Sequence, residues 1–133
     1  MGRISGLAEV VLLVQDLERS VAFYRDLLGL TVISPAGLPV VFLRVGDERA
    51  GVPQQIVLIP RSAGVQAAGG SKEQRDLHHI GLEVPAEDYE AERERISRLG
   101  IPIRGGQHPF LPVEAFYLDD PDGNEVEIVA RTG

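Results

Sequence analysis

The sequence contains no cysteine among its 133 residues. Disulfide bonds, thiolate metal ligands and thiol nucleophiles are therefore excluded, and thiol usage gives no information on the redox compartment. Long hydrophobic runs are absent as well, because the apolar stretch near the start of the chain ends at Gln15 and Asp16. That stretch is too short for a secretory signal or a membrane span. We therefore expect a soluble, cytoplasmic protein with no membrane partner.

Positive charge is scarce in this chain. It has 13 basic and 20 acidic residues, a formal net charge of −7, and Lys72 as its only lysine. A nucleic-acid-binding protein needs a basic face that displaces counterions from the phosphate backbone, so nucleic acid is not an expected partner. The length fits one hydrophobic core, and we expect a single domain over residues 1–133.

The sequence repeats itself at an offset of 70 residues. The stretches from Leu7 to Leu30 and from Leu77 to Ile101 each hold an apolar strand, an acidic helix start and an amphipathic helix. Each helix is followed by a glycine, Gly29 or Gly100, which suits the positive φ of a helix C-terminus. A β-like stretch, LTVIS or IPIR, follows each of these glycines. Two further strand patterns complete each half, and their last segments, QIVLIPR and EVEIVAR, also align at this offset.

Each half therefore has the pattern β-α-β-β-β. This pattern predicts an α+β fold in which two βαβββ repeats form a curved mixed sheet, with the helices outside and a concave face for a ligand. We place the first module at residues 5–61 and the second at residues 77–131. Residues 62–76 between them are small and polar, which indicates a surface linker.

Strand alternation predicts three ionisable side chains on the concave face of this sheet. Under the offset, Glu9 occupies the same slot as His79. Glu127 occupies the same slot as Val57. The neighbours of these residues should point at the helices, so Glu9, His79 and Glu127 should face the concavity. His78 should point to the opposite face and have a structural role.

One imidazole and two carboxylates in a cavity predict a divalent metal ion, because a buried carboxylate without a partner costs several kcal/mol. This ligand set suits Fe²⁺, Mn²⁺ or Zn²⁺, and the oxygen majority favours Fe²⁺ or Mn²⁺. Val57 cannot bind a metal, so coordination positions stay open for substrate, as in a catalytic site. In the alternative interpretation Glu9 pairs with an arginine, and His79 only forms a hydrogen bond at a strand end.

His108 and Tyr117 are the candidate catalytic residues. They precede the turn formed by residues 121–124, which leads into the last strand. An imidazole and a phenol can hold an ionised substrate oxygen or move a proton. A purely structural role for both residues is the alternative.

Taken together, the stretches EVVLLVQDLERSVAFYRDLLGL, HHIGLEV and YLDDPDGNEVEI resemble the vicinal oxygen chelate superfamily over nearly the whole chain. This superfamily includes glyoxalase I, fosfomycin and bleomycin resistance proteins, methylmalonyl-CoA epimerase and extradiol dioxygenases. The resemblance implies two βαβββ units with a metal on the concave face, and its ligand positions map onto Glu9, Val57, His79 and Glu127. It also favours a homodimer and admits Zn²⁺ or Ni²⁺ beside Fe²⁺ and Mn²⁺.

A longer segment, GQHPFLPVEAFYLDDPDGNEVE, resembles the extradiol dioxygenase signature in the spacing of Gly106, His108, Tyr117 and Glu127. In that family the matching histidine and tyrosine flank a bound catecholate, and the glutamate is an iron ligand. We therefore predict a metal-dependent dioxygenase that acts on a catechol-like small molecule. Two features depart from the family: Glu9 replaces the usual histidine, and the acid/base histidine expected before the second ligand is absent.

Two alternative functions stay open. A glyoxalase I-like lyase or isomerase would use the metal to polarise an enediolate, but such enzymes usually place a fourth ligand where this chain has Val57. A metal-free binding protein of the bleomycin resistance kind would keep its ligand affinity when Glu9 is changed to alanine. Both enzyme hypotheses imply a small-molecule substrate with vicinal oxygens.

Overall fold

The structure, a computed structural model, describes three stretches of the chain: residues 6–48, 51–61 and 77–132. The chain divides into two compact units, Met1–Gly70 and Ser71–Gly133. Each unit has its own four-stranded sheet and the element order β-α-β-β-β, so the predicted α+β class and the repeat are confirmed. The linker predicted at residues 62–76 lies outside the described residues, and the single domain with its module boundaries stays a prediction.

The first unit begins with a strand that leads directly into a helix. Its elements are β1 (Glu9–Val14), α1 (Leu17–Val21), a π-helical continuation (Ala22–Leu27), β2 (Thr31–Val32), β3 (Val41–Gly46) and β4 (Gln54–Pro60). The strand order is β1-β4-β3-β2, with β1 parallel to β4 and the other pairs antiparallel. The acidic helix start expected in this half is Asp16, which caps α1: its carboxylate accepts a hydrogen bond from the Arg19 amide.

The second unit repeats this order. Its elements are β5 (His79–Glu83), a 3₁₀ turn (Ala86–Asp88), α2 (Tyr89–Arg98), β6 (Arg104–Gly106), β7 (Val113–Asp119) and β8 (Glu125–Arg131). The strand order is β5-β8-β7-β6. The strand predicted over IPIR begins only at its last residue, Arg104, because Pro102 has no amide hydrogen to donate to a ladder. None of the helices in the described stretches is long and apolar enough to cross a membrane.

The register of the two parallel strand pairs confirms the repeat at the level of single residues. In the first unit Glu9 lies opposite Gln55. In the second unit His79 lies opposite Glu125. Both positions differ by the same 70 residues that separate the two sequence patterns. The two sheets therefore have the same backbone frame and differ in the side chains that it carries.

Alternation along β8 separates an apolar face of the second sheet from a polar one. Val126, Ile128 and Ala130 are buried, whereas Glu125 and Glu127, which alternate with them, are half-buried. On the apolar face α2 packs against the sheet, where the rings of its Tyr89 and of Phe116 in β7 are 5.6 Å apart. We call the other face the open face; it carries His79, Gly81, Arg104, Gly106, Tyr117, Asp119, Glu125 and Glu127.

Candidate metal centre

Glu127 lies at the middle of the open face. It pairs with Gly81 of β5 on one side and with Tyr117 of β7 on the other. Its side chain is 13% exposed, and its Oε1 atom lies 3.7 Å from Nε2 of His79. The Tyr117 hydroxyl donates a hydrogen bond of 2.9 Å to its Oε2 atom. Three of the five predicted site residues, His79, Tyr117 and Glu127, therefore lie together.

Two glycines leave the space that this arrangement needs. A Cβ atom at Gly81 would lie 2.9 Å from Oε1 of Glu127. A Cβ atom at Gly106 would overlap ring carbon Cε2 of Tyr117. Neither glycine has a positive φ, so the close approach of these side chains accounts for the absence of a Cβ at both positions.

The Tyr117 hydroxyl is held in its protonated form. Its hydrogen bond to Glu127 raises its pKa above the usual value, and burial and the negative charges of Glu127 and Glu125 raise it further. A protonated phenol donates a hydrogen bond but does not act as a base at neutral pH. In this arrangement Tyr117 is therefore a donor that orients the Glu127 carboxylate.

His78 does not point to the opposite face, so this prediction was wrong. Its Nδ1 atom lies 2.8 Å from Nδ1 of His79, and the two ring centroids are 5.0 Å apart. The strand begins only at His79, so alternation does not govern the direction of the preceding side chain. With Glu125 the two histidines form a group whose ligand atoms lie within 4.8 Å of one another.

Arg104 forms an ion pair with Glu125 but not with the neighbouring Glu127. Its Nη2 atom donates hydrogen bonds to Asp119, at 2.8 Å, and to Glu125, at 3.0 Å. The bond to Asp119 raises the pKa of Arg104, and the bond to Glu125 raises it further, so the guanidinium stays charged. Within the described part of the chain, Glu127 has no ion pair with an arginine or lysine. Glu127 is therefore the carboxylate that would gain most from a bound cation.

His79 and Glu127 fit a divalent ion in chemistry and in spacing. Imidazole nitrogen and carboxylate oxygen are common ligands of Fe²⁺, Mn²⁺ and Zn²⁺. Two atoms that each lie about 2.1 Å from one ion can be at most about 4.2 Å apart. The 3.7 Å between Nε2 of His79 and Oε1 of Glu127 meets this condition.

The first unit carries a different set of side chains in the matching slots. Glu9 is exposed, and its Oε2 atom accepts a hydrogen bond of 3.4 Å from Gln55. The arginine partner of the alternative interpretation is not seen among the described residues. Val57, in the slot of Glu127, is 3% exposed and lies opposite Phe42. Metal ligation by Glu9 rests on the repeat and stays a prediction.

His108 makes its contacts within its own loop between β6 and β7. Its Nδ1 atom accepts hydrogen bonds from the amides of Phe110, at 3.2 Å, and Leu111, at 2.9 Å. Its ring also contacts that of Phe110, with centroids 4.7 Å apart. Because Nδ1 accepts, the neutral ring carries its proton on Nε2 and offers a donor there. Its predicted catalytic role stays a prediction.

The sequence matches the family model of the Glyoxalase/Bleomycin resistance protein/Dioxygenase superfamily over residues 6–128. The chain therefore belongs to this superfamily, in agreement with its two βαβββ units.

Named proteins from this superfamily resemble the chain over most of its length. Glutathione transferase FosA from Serratia marcescens is 27% identical, and the match covers 94% of this chain and 80% of that protein. Lactoylglutathione lyase from Salmonella typhimurium is also 27% identical, with coverages of 92% and 90%. A solved glyoxalase/dioxygenase from Nostoc punctiforme aligns over 99% of this chain and 94% of that chain, with a TM-score of 0.76 and 20% identity. The last comparison supports the fold alone.

Proposed function

We propose that the protein is a metal-dependent enzyme in which His79 and Glu127 bind a divalent ion, and that its substrate is a small molecule with vicinal oxygens. The observation that carries this proposal is the half-buried Glu127 carboxylate, which has a histidine nitrogen 3.7 Å away and no arginine or lysine partner in the described chain. The repeat adds Glu9 as the predicted third ligand. Fe²⁺ or Mn²⁺ is the favoured ion, with Zn²⁺ or Ni²⁺ as alternatives.

When bound, the ion would act as a Lewis acid on the substrate oxygens. The side chains around the site orient the groups that would bind the ion. The hydrogen bond from Tyr117 to Oε2 of Glu127 fixes this carboxylate and leaves its Oε1 atom on the side of His79. Ligands held in this way keep a bound substrate in a defined geometry, which is a large part of catalysis in such sites.

Lyase or transferase chemistry is the first reaction that we propose. The two relatives described above have names that refer to glutathione, as a transferase and as a lactoylglutathione lyase. The substrate class would then be a small oxygenated molecule together with a thiol or as its thiol adduct. The valine at position 57 implies that this chain holds its ion with one protein ligand fewer than is usual for a glyoxalase I-like enzyme.

Extradiol ring cleavage of a catechol-like molecule is the second candidate. Gly106, Tyr117 and Glu127 of the signature spacing are in contact in the structure, and this favours it. The glycine makes room for the tyrosine ring, and the tyrosine hydroxyl holds the glutamate. Such an enzyme would use Glu127 as an iron ligand and Tyr117 beside the substrate.

Metal titration by calorimetry tests the proposed site. The wild-type protein should bind one Mn²⁺ per chain, and His79→Ala, Glu127→Gln and Glu9→Gln should each bind it at least about tenfold more weakly. Glu83→Gln is the matched control, because Glu83 is an exposed glutamate on the same side of β5 as His79. Equal affinity in the control and in Glu127→Gln would contradict the proposal.

Activity assays of the metal-loaded protein separate the reactions. Turnover of methylglyoxal with glutathione, or of fosfomycin with glutathione, supports lyase or transferase chemistry. Oxygen uptake with a panel of catechols, after anaerobic loading with Fe²⁺, supports ring cleavage. A protein that binds no metal, and whose ligand affinity is unchanged in Glu9→Ala, is instead a binding protein. The cytoplasmic location and the homodimer stay predictions, and sedimentation tests the latter.

A further inference from the structure

We infer that His78 is a positioning residue of the metal site, which accepts a hydrogen bond from Nδ1 of His79 and holds that ring with its Nε2 lone pair facing the ion. This inference rests on the proposed function. It starts from the contact of 2.8 Å between the Nδ1 atoms of the two histidines.

A contact this short between two imidazole nitrogens needs one N–H group and one lone pair. Either His79 donates, with its proton on Nδ1 and its lone pair on Nε2, or His78 donates and the positions on His79 are reversed. A nitrogen that binds a metal ion carries no proton. Ligation through Nε2 of His79, the atom beside Glu127, therefore requires that His79 donates and His78 accepts.

The reversed arrangement gains little from the surroundings of His79. An Nε2–H group would face Oε1 of Glu127 at 3.7 Å, which is too long for a side-chain hydrogen bond. In the described part of the chain, His78 is thus the hydrogen-bonding partner that can select the His79 tautomer. Partners of this kind orient ligating histidines in many metal sites.

His78 is poorly placed to be a ligand itself. Its Nδ1 atom faces Nδ1 of His79, away from the Nε2 atom that lies beside Glu127. Glu125, whose ligand atom lies within 4.8 Å of those of both histidines, already accepts a hydrogen bond of 3.0 Å from Arg104. Because His78 is exposed, a substitution there leaves the core of the sheet intact.

Zn²⁺ affinity and the nitrogen-15 NMR spectrum of the histidines test this inference. His78→Ala should weaken Zn²⁺ binding by about 10- to 100-fold. His78→Asn, whose amide oxygen can still accept, should recover part of this loss. Glu125→Gln should bind Zn²⁺ like the wild type. The spectrum of the Zn²⁺-loaded wild type should show His79 with a proton on Nδ1 and the metal on Nε2.

Each contrary result has a distinct meaning. Equal Zn²⁺ affinity in His78→Ala and in the wild type would overturn the positioning role alone. A metal-bound nitrogen on His78, or a matching loss in Glu125→Gln, would assign the ion to the group of His78, His79 and Glu125 instead. A wild-type protein that binds no Zn²⁺ and no Mn²⁺ would overturn both this inference and the proposed function.

Discussion

Gly106 offers a way to move the Tyr117 hydroxyl without changing any polar side chain of the site. A Cβ atom at this position would overlap Cε2 of the Tyr117 ring and would also lie 2.9 Å from Cδ2 and 3.0 Å from Cζ. The atoms of an aromatic ring move together, so the whole ring must turn away. We therefore expect Gly106→Ala to break the hydrogen bond between Tyr117 and Glu127.

The expected loss of stability follows from two opposing effects. A hydrogen bond to a charged group contributes about 1.5–3 kcal/mol. Replacing glycine by alanine restricts the unfolded chain and stabilises the fold by about 0.4–1 kcal/mol where the backbone allows it. Gly106→Ala should therefore lower the free energy of unfolding by about 1–2 kcal/mol.

Gly105→Ala is a matched control on the preceding residue of β6. A Cβ atom at Gly105 has no atom within 4 Å, and this glycine does not have a positive φ. This variant should be slightly more stable than the wild type, so the two changes have opposite signs. Urea unfolding measures both, and tyrosinate absorbance should show a lower pKa for Tyr117 in Gly106→Ala alone. Equal stabilities in the two variants, with an unchanged tyrosine titration, would refute this reasoning.

Three further predictions concern the same unit. Glu127→Gln should lower the pKa of Tyr117, because the charged acceptor that raises this pKa is lost. Tyrosinate absorbance measures the pKa, and an unchanged titration would contradict the prediction. The pKa values of Tyr117 and Tyr89 are both raised in the fold. The stabilisation that these two protonated tyrosines contribute should therefore be complete below about pH 10 and should be lost as the pH rises through their folded-state pKa values. Urea unfolding at high pH measures this decline, and constant stability would refute it. Asp120→Ala should lower the free energy of unfolding by about 1–3 kcal/mol, because this buried carboxylate accepts hydrogen bonds from the amides of Asp122 and Asn124. Thermal unfolding measures this loss, and a value below about 0.5 kcal/mol would argue against the prediction.

The sequence predicted those features that follow from a regular backbone period. Alternation along β8 correctly separated Glu127 from Val126 and Ile128, because successive side chains of a strand point to opposite faces. The repeat correctly predicted the same element order in both units, since the same apolar pattern occurs twice at a fixed offset.

Features that depend on a strand boundary or on antiparallel register were not predictable. The side chain of His78 lies just before the start of β5, where no period applies. The ion pairs of Arg104 arise from the pairing of β6 with β7. The sequence of β6, Arg104-Gly105-Gly106, has no strand pattern, so this pairing could not be predicted. The contact between Gly106 and the Tyr117 ring has no sequence signal beyond the resemblance to the dioxygenase signature.

Paramagnetic broadening by Mn²⁺ tests the central claim most directly. Small additions of Mn²⁺ to isotope-labelled protein broaden first the amide signals nearest the bound ion. The proposed site predicts that the signals of His79, Gly81 and Glu127 disappear first, together with that of Glu9 if it is the third ligand. Early loss centred on the exposed acidic residues of α2, with the signals of His79 and Glu127 intact, would contradict the account.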